Sequence, residues 1–101
     1  MNEETRKYLR GKSTGGLLVY IENTWGCRIS VSVDVLWLGA GQPDAHVSVR
    51  VPNAIHRLEL NDPPDLQRKT KLGASRDLGP FVNHVIIDWL DSLEAHMDAT
   101  M

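Results

Sequence analysis

Four histidines and a run of carboxylates are the residues of this sequence whose types could do chemistry. His84 and Asp88 lie four residues apart, which on a helix is one turn and would supply half of a metal site. Asp88, Asp91 and Glu94 repeat at helical spacing, and paired carboxylates can perform acid–base catalysis. An exposed helix face provides no burial to activate them, and a solvated His84–Asp88 pair is the simpler interpretation. We therefore expect no catalytic residues and no metal site.

Two glycine-containing motifs resemble fragments of phosphate-binding loops. Gly11-Lys12-Ser13-Thr14 matches the end of a P-loop, but Arg6 stands where the motif requires another glycine. The segment that follows it reads as a strand, whereas a P-loop is followed by a helix. Gly39-Ala40-Gly41 lacks the third glycine and the helix of a dinucleotide-binding fingerprint. Neither motif predicts a cofactor.

Composition limits the class of protein and its compartment. Cys27 is the only cysteine of 101 residues, which excludes an internal disulfide and a cysteine-based zinc site. A net charge of -2 gives no global reason to bind nucleic acid or an anionic membrane. The N-terminus lacks the apolar core of a signal peptide, and no apolar run approaches the roughly 20 residues that span a bilayer. We expect one cytoplasmic domain over 1–101 and no membrane partner.

Period-two alternation of apolar residues is the strongest structural signal. Within 17–23 and 28–38 the apolar residues occupy one set of alternate positions: Leu17, Val19, Ile21, Ile29, Val31, Val33, Val35 and Trp37. Thr24-Trp25-Gly26 separates the two runs, and its glycine suits the positive φ at the end of a three-residue hairpin loop. The sequence predicts a hairpin over 17–38 in which Asn23 faces Cys27 and Glu22 faces Arg28.

The remaining segments complete an α+β fold. Residues 45–51 alternate as a third strand, and 54–60 fit a fourth strand or, alternatively, a short helix. Residues 61–78 are predicted to be a basic loop. Residues 1–14 are predicted to be flexible or to form a frayed helix at 3–10, broken by Gly15-Gly16. Apolar residues at helical spacing then predict an amphipathic helix over about 80–97: Val82, Val85, Ile86, Trp89, Leu90, Leu93 and Met97. The prediction is a three- to four-stranded antiparallel meander covered on one face by this helix.

Apolar residues outside the expected core indicate a protein-binding surface. Trp25 is expected at the hairpin tip, where an exposed indole would be an interface anchor, whereas Trp37 and Trp89 have core positions. Tyr20, Leu36 and Leu38 would line the outer sheet face, and Arg28 would flank them. The same face, or a sheet edge, would equally serve a homodimer.

A second candidate surface is basic. Segment 64–76 contains four cations against the single carboxylate of Asp65: Arg68, Lys69, Lys71 and Arg76. Such a cluster can bind phosphates, although no aromatic residue is interleaved to stack on bases, and the helix that follows it is acidic.

The leading functional hypothesis is a small non-catalytic protein-binding module that docks on a larger protein. Inhibitors, immunity proteins, adaptors and mobile-element accessory proteins are of this type. Nucleic-acid binding through 68–76 is the alternative, and a small enzyme of unknown chemistry is the third hypothesis. No cofactor is expected.

Overall fold

A computed structural model describes residues 1–37, 39, 41–73 and 77–100 of the chain. Over these residues the elements follow in the order α1 (Glu3–Arg10), α2 (Thr14–Trp25), β1 (Ser30–Leu36), β2 (Asp44–Arg50), α3 (Ala54–Glu59), β3 (Leu66–Lys71) and α4 (Leu78–Thr100). The strands form an antiparallel sheet in the order β1-β2-β3. Three parts of the prediction are confirmed: the α+β class, the antiparallel sheet and the C-terminal helix packed against it.

α4 covers the sheet with an apolar face. Its buried side chains are Phe81, Val82, Val85, Ile86, Ile87, Trp89, Leu90 and Leu93. They share one core cluster with Ala45, Val47 and Val49 of β2, each fully buried, so the strand predicted at 45–51 is confirmed. The indole N–H of Trp89 donates to the carbonyl of Pro64 at 2.8 Å, so the one polar group of this buried side chain has a hydrogen-bond partner. Among the described residues, no helix combines the length and apolarity that a membrane crossing requires.

Residues 17–23 are helical, and the predicted hairpin is wrong. Leu17 and Ile21 are buried and lie four residues apart, so they share one side of α2. Val19, between them, is exposed, which a half-buried strand would not allow. A run of only three alternating apolar residues is too short to distinguish the period of a strand from that of a helix. Packing of α2 against α4 favours the helix.

The ends of α2 explain where it begins and stops. Ser13 is the N-cap, and its hydroxyl accepts from the N–H of Gly16 at 3.1 Å. Gly15-Gly16 therefore lies inside a helix and does not break one. Gly26 has the positive φ that the sequence predicts, 68°, but it caps α2 and closes no hairpin loop. Glu22 and Arg28 do form an ion pair, at 3.4 Å, between the helix and the segment after it.

β1 has β2 as its neighbour, with Val33 opposite Val47 and Val35 opposite Ala45. Trp37 is not a core residue as predicted, because it follows the end of β1 and is 70% exposed. α4 packs on β2 and β3, whereas residues 32–36 of β1 are exposed.

The predicted fourth strand and the predicted basic loop are both wrong. Residues 54–59 form α3, the stated alternative, because the side chain of Asn53 accepts from the N–H groups of Ile55 and His56 at 2.9 and 3.1 Å. The third strand of the sheet is instead β3, inside the segment 61–78. The sequence of β3 shows no apolar–polar alternation, because the charged residue Arg68 occupies a position on the helix-covered face, opposite Val47.

α1 forms where a helix is predicted, at Glu3–Arg10, and ion pairs attach it to α4. The guanidinium of Arg6 lies 2.8 Å from Asp91, and the ammonium group of Met1 lies 3.1 Å from both Asp91 and Glu94. Hydrogen bonding to that ammonium, with Arg6 nearby, holds the pKa of Asp91 below its usual value. Leu9 of the same helix is fully buried in the core cluster, so α1 is a docked helix.

The αL cap at Gly26 gives the first prediction. Gly26→Val should lower the free energy of unfolding by about 1–2 kcal/mol, because a β-branched residue resists positive φ. No atom lies within 4 Å of an added Cβ, so the cost is conformational and not a clash. Chemical denaturation monitored by circular dichroism measures it.

Gly15→Ala is the matched control, since an added Cβ at this α2 position also meets nothing within 4 Å. It should leave stability unchanged or raise it by up to about 1 kcal/mol, because alanine is the better helix residue. Equal destabilisation by both variants would contradict the cap.

Candidate protein-docking surface

Trp25 does not lie at a hairpin tip. It is the last residue of α2, half-buried and packed against the hydrophobic core. Its indole nitrogen is buried and, within the described residues, has no hydrogen-bond partner. Trp25 is thus held by the fold, and the sequence-based reason for calling it an interface anchor no longer applies.

The other predicted protein-binding residues do not form one patch. Tyr20 belongs to α2 and packs against the core, so it does not line a sheet face. Arg28 is exposed and paired with Glu22. Leu36 is exposed at the end of β1, on the outer sheet face, where it is paired with Asp44. Leu38 lies outside the described residues.

An exposed apolar strip follows β1 itself. Val33 and Val35 are 40% and 45% exposed, although both point to the side of the sheet that carries the core. Leu36 on the opposite face and Trp37 just beyond the strand extend the strip. We call Val33, Val35, Leu36 and Trp37 the β1 strip. The sequence shows the alternating valines, but the predicted strand at 17–23 would have covered them, so their exposure is not predicted.

β1 is also an open edge. Its only strand neighbour in the described sheet is β2, so alternate backbone N–H and C=O groups point outwards. Exposed edges of this kind pair with other strands unless charge or covering segments prevent it. β3, the opposite edge, carries exposed Arg68, Lys69 and Lys71. β1 carries Asp34 as its only charged residue, so it is the less protected edge.

A shallow concavity of about 300 Å³ adjoins the end of the β1 strip. Its lining combines apolar and charged groups from all three strands: Asp34, Val35, Leu36, Asp44, Ala45, His46 and Lys69. The ring of His46 is 3.1 Å from the side-chain oxygen of Gln67, which fixes it on the outer face. A concave region beside an apolar strip can receive a side chain of a bound chain.

The predicted basic cluster is split by the sheet. Arg68 pairs with Val47, and Lys69 pairs with His46, so the two cations occupy opposite faces. Lys71 shares the face of Lys69, and its ammonium lies 3.1 Å from Asp44. Arg76 lies outside the described residues. Asp44 therefore partly neutralises Lys71, the cation that lies next to Lys69 on this face.

The carboxylates of α4 and His84 make structural contacts. Asp88, Asp91 and Glu94 bind Arg6 and the ammonium of Met1, and His84 lies 3.3 Å from Asp88 as the spacing predicts. In the described part of the chain, no three residues of the His, Cys, Asp or Glu types cluster as a metal site would require.

The phosphate-loop motif also has a structural use. Contrary to the sequence prediction, a helix does follow Gly11-Lys12-Ser13-Thr14, but the helix α1 precedes it where a P-loop has a strand. Thr14 and Asn83 are joined by a side-chain hydrogen bond, and the Asn83 amide donates to the carbonyl of Lys12 at 3.3 Å. These bonds attach the start of α2 to α4.

Comparison with known proteins adds no assignment, since no family model, no curated protein and no solved structure matches this chain.

The position of Trp25 gives the second prediction. Trp25→Ala should lower the free energy of unfolding by about 2 kcal/mol, less than the 3–5 kcal/mol of a fully buried tryptophan, because the ring is only half-buried. Trp25→Phe is the control: it keeps an aromatic ring and removes the unpartnered N–H, and should remain close to wild type. Denaturant titration of both variants measures the difference. If Trp25→Ala is as stable as the wild type, the ring does not pack against the core and the prediction is contradicted.

Proposed function

We propose that this protein is a small non-catalytic protein-binding module that acts in the cytoplasm. It binds an extended segment of another protein chain, which adds to the sheet as a strand beside β1. The observation that carries the proposal is the open edge of β1, with exposed valines along it and only one charged residue. The type of module, whether inhibitor, immunity protein, adaptor or accessory factor, follows from the chain that it binds.

Two properties of the β1 strip support docking by strand addition. The backbone groups of the edge supply hydrogen bonds that any extended segment can make, irrespective of its sequence. Val33, Val35 and Trp37 then supply the apolar area, and a tryptophan that is 70% exposed loses much of its contact with water when a chain covers it. Backbone bonds provide affinity, and the side chains provide selectivity.

The cytoplasmic and non-catalytic parts of the proposal have separate support. Cys27 is a buried free thiol whose pKa is raised by burial, as suits a structural cysteine in a reducing compartment. The helix carboxylates bind α1, which gives them a purpose other than catalysis.

Trp37→Ala tests the docking surface. Because the side chain is largely exposed, the variant should unfold within about 0.5 kcal/mol of wild type. The tagged protein is purified from cells that encode it, together with the chains bound to it. Trp37→Ala should recover at most about a tenth of the bound chains that the wild type recovers, since tryptophan is frequently a binding hot spot. Quantitative mass spectrometry of the captured chains measures the loss.

Leu58→Ala is the matched control, because Leu58 is an apolar residue that is 80% exposed, on α3 and outside the sheet. It should leave capture unchanged. Undiminished capture by Trp37→Ala, with or without an effect of Leu58→Ala, would contradict docking at the β1 strip.

Nucleic-acid binding is the second candidate function, and one observation favours it. Arg50, Lys69 and Lys71 all belong to the outer face of the sheet, opposite the face that shares the core with α4. Asp34 and Asp44 on the same face reduce the attraction for phosphates, so this candidate ranks below docking.

The two faces of β3 allow a sharp test of this candidate. Lys69→Gln should weaken binding to DNA or RNA at low salt and reduce the salt dependence by about one phosphate contact. Arg68→Gln removes the same charge from the opposite face and should have little effect. Fluorescence anisotropy with a labelled oligonucleotide measures both, and absence of wild-type binding at low salt would eliminate this function.

A further inference from the structure

We infer that the chain that pairs with β1 is a second copy of this protein, joined to it by antiparallel β1–β1 pairing across a two-fold axis. The inference rests on the proposed docking at β1 and names its partner. It follows from the sequence of the strand, which is complementary to itself when reversed. The product is a dimer with one continuous six-stranded sheet.

The length of β1 selects the register. Val33 is the midpoint of Ser30–Leu36, so an axis through Val33 pairs every residue of the strand with one in the second copy. Val31 then faces Val35 of the second copy, and the two Val33 side chains face each other. All the valines meet on the helix-covered face, as apolar cross-strand pairs. An axis through Val35 would instead pair only the last three residues of the strand.

Charge selects the same register. An axis through Asp34 would place the two Asp34 carboxylates directly opposite each other, which is destabilising between neighbouring strands. With the axis through Val33, Asp34 faces Ser32 of the second copy, and a hydroxyl can donate to a carboxylate. The remaining outer-face pair joins Ser30 to Leu36, with no charge involved.

The pairing also provides a contact for Trp37, the aromatic residue of the β1 strip. Trp37 follows the strand by one position and Ile29 precedes it by one, so the Val33 axis brings Trp37 opposite Ile29 of the second copy. Ile29 is half-buried against the core of its own subunit. Trp37 would thus cover the rim of the neighbouring core at each end of the joined strands, twice per dimer.

Val33→Lys tests the interface in solution. Sedimentation analysis of the wild type should give twice the 11.3 kDa mass of the chain. Val33→Lys places two ammonium groups opposite each other on the axis and should raise the dimer dissociation constant at least about tenfold. The control is Val19→Lys, which changes an exposed valine of α2 and leaves the sequence of β1 intact, and this variant should remain dimeric. Circular dichroism checks that both variants fold.

Cysteine cross-linking tests the register. Opposing residues of antiparallel strands have Cα atoms about 4.5–5.5 Å apart, a separation that a disulfide can join. Val33→Cys should therefore oxidise to a covalent dimer. Val35→Cys should not, because the Val33 axis separates the two copies of residue 35 by about 14 Å. The native Cys27 is buried and does not compete.

A wild-type dimer that Val33→Lys leaves intact would overturn the β1–β1 interface. Cross-linking of Val35→Cys in place of Val33→Cys would overturn the register. A monomeric wild type would overturn self-pairing. If that monomer captures another protein and Val33→Lys abolishes the capture, the docking function stands with a different partner; if Val33→Lys has no effect on capture, both proposals fail.

Discussion

Burial of the apolar face of α4 against β2 is the interaction on which the rest of this fold depends. α4 packs on β2 and β3 and also on α1 and α2, so it joins the sheet to the N-terminal helices. Trp89 of α4 is fully buried in the core cluster that contains the β2 side chains. A tryptophan that buries about 200 Å² contributes on the order of 5 kcal/mol, several times the value of a surface ion pair. Apolar packing therefore determines the fold, and the charges refine it.

The charge pattern is explained by the same arrangement. α4 presents Asp88, Asp91 and Glu94 on the side away from its apolar face, and these carboxylates receive Arg6 and the ammonium of Met1. Pairs of this kind add little energy individually, but they fix the direction in which α1 lies. The uneven distribution of charge along the sequence is consistent with this contact, because an acidic helix without Lys or Arg attracts cations from other parts of the chain.

The parts of the fold that the sequence predicts are those set by long, regular patterns. The apolar stripe of α4 and the strict alternation in β2 each repeat often enough to exclude another period. The segment 17–25 has only three alternating apolar residues, and Leu17 and Ile21 fit a helix equally well. β3 escaped detection because an edge strand can satisfy its backbone through β2 while its side chains remain charged.

The wrong prediction of a strand at 17–23 also accounts for the candidate site. Had these residues formed the predicted strand, they would have paired with β1, covered its edge and shielded Val33 and Val35. Because α2 instead packs against α4, β1 keeps a strand-like sequence with one strand neighbour in the described sheet. Valine-rich strands are stable when both sides are paired, and an open edge with a single charged residue is a template for further pairing. The partner chain that we propose would take the place of the internal neighbour that the apolar alternation of β1 predicted.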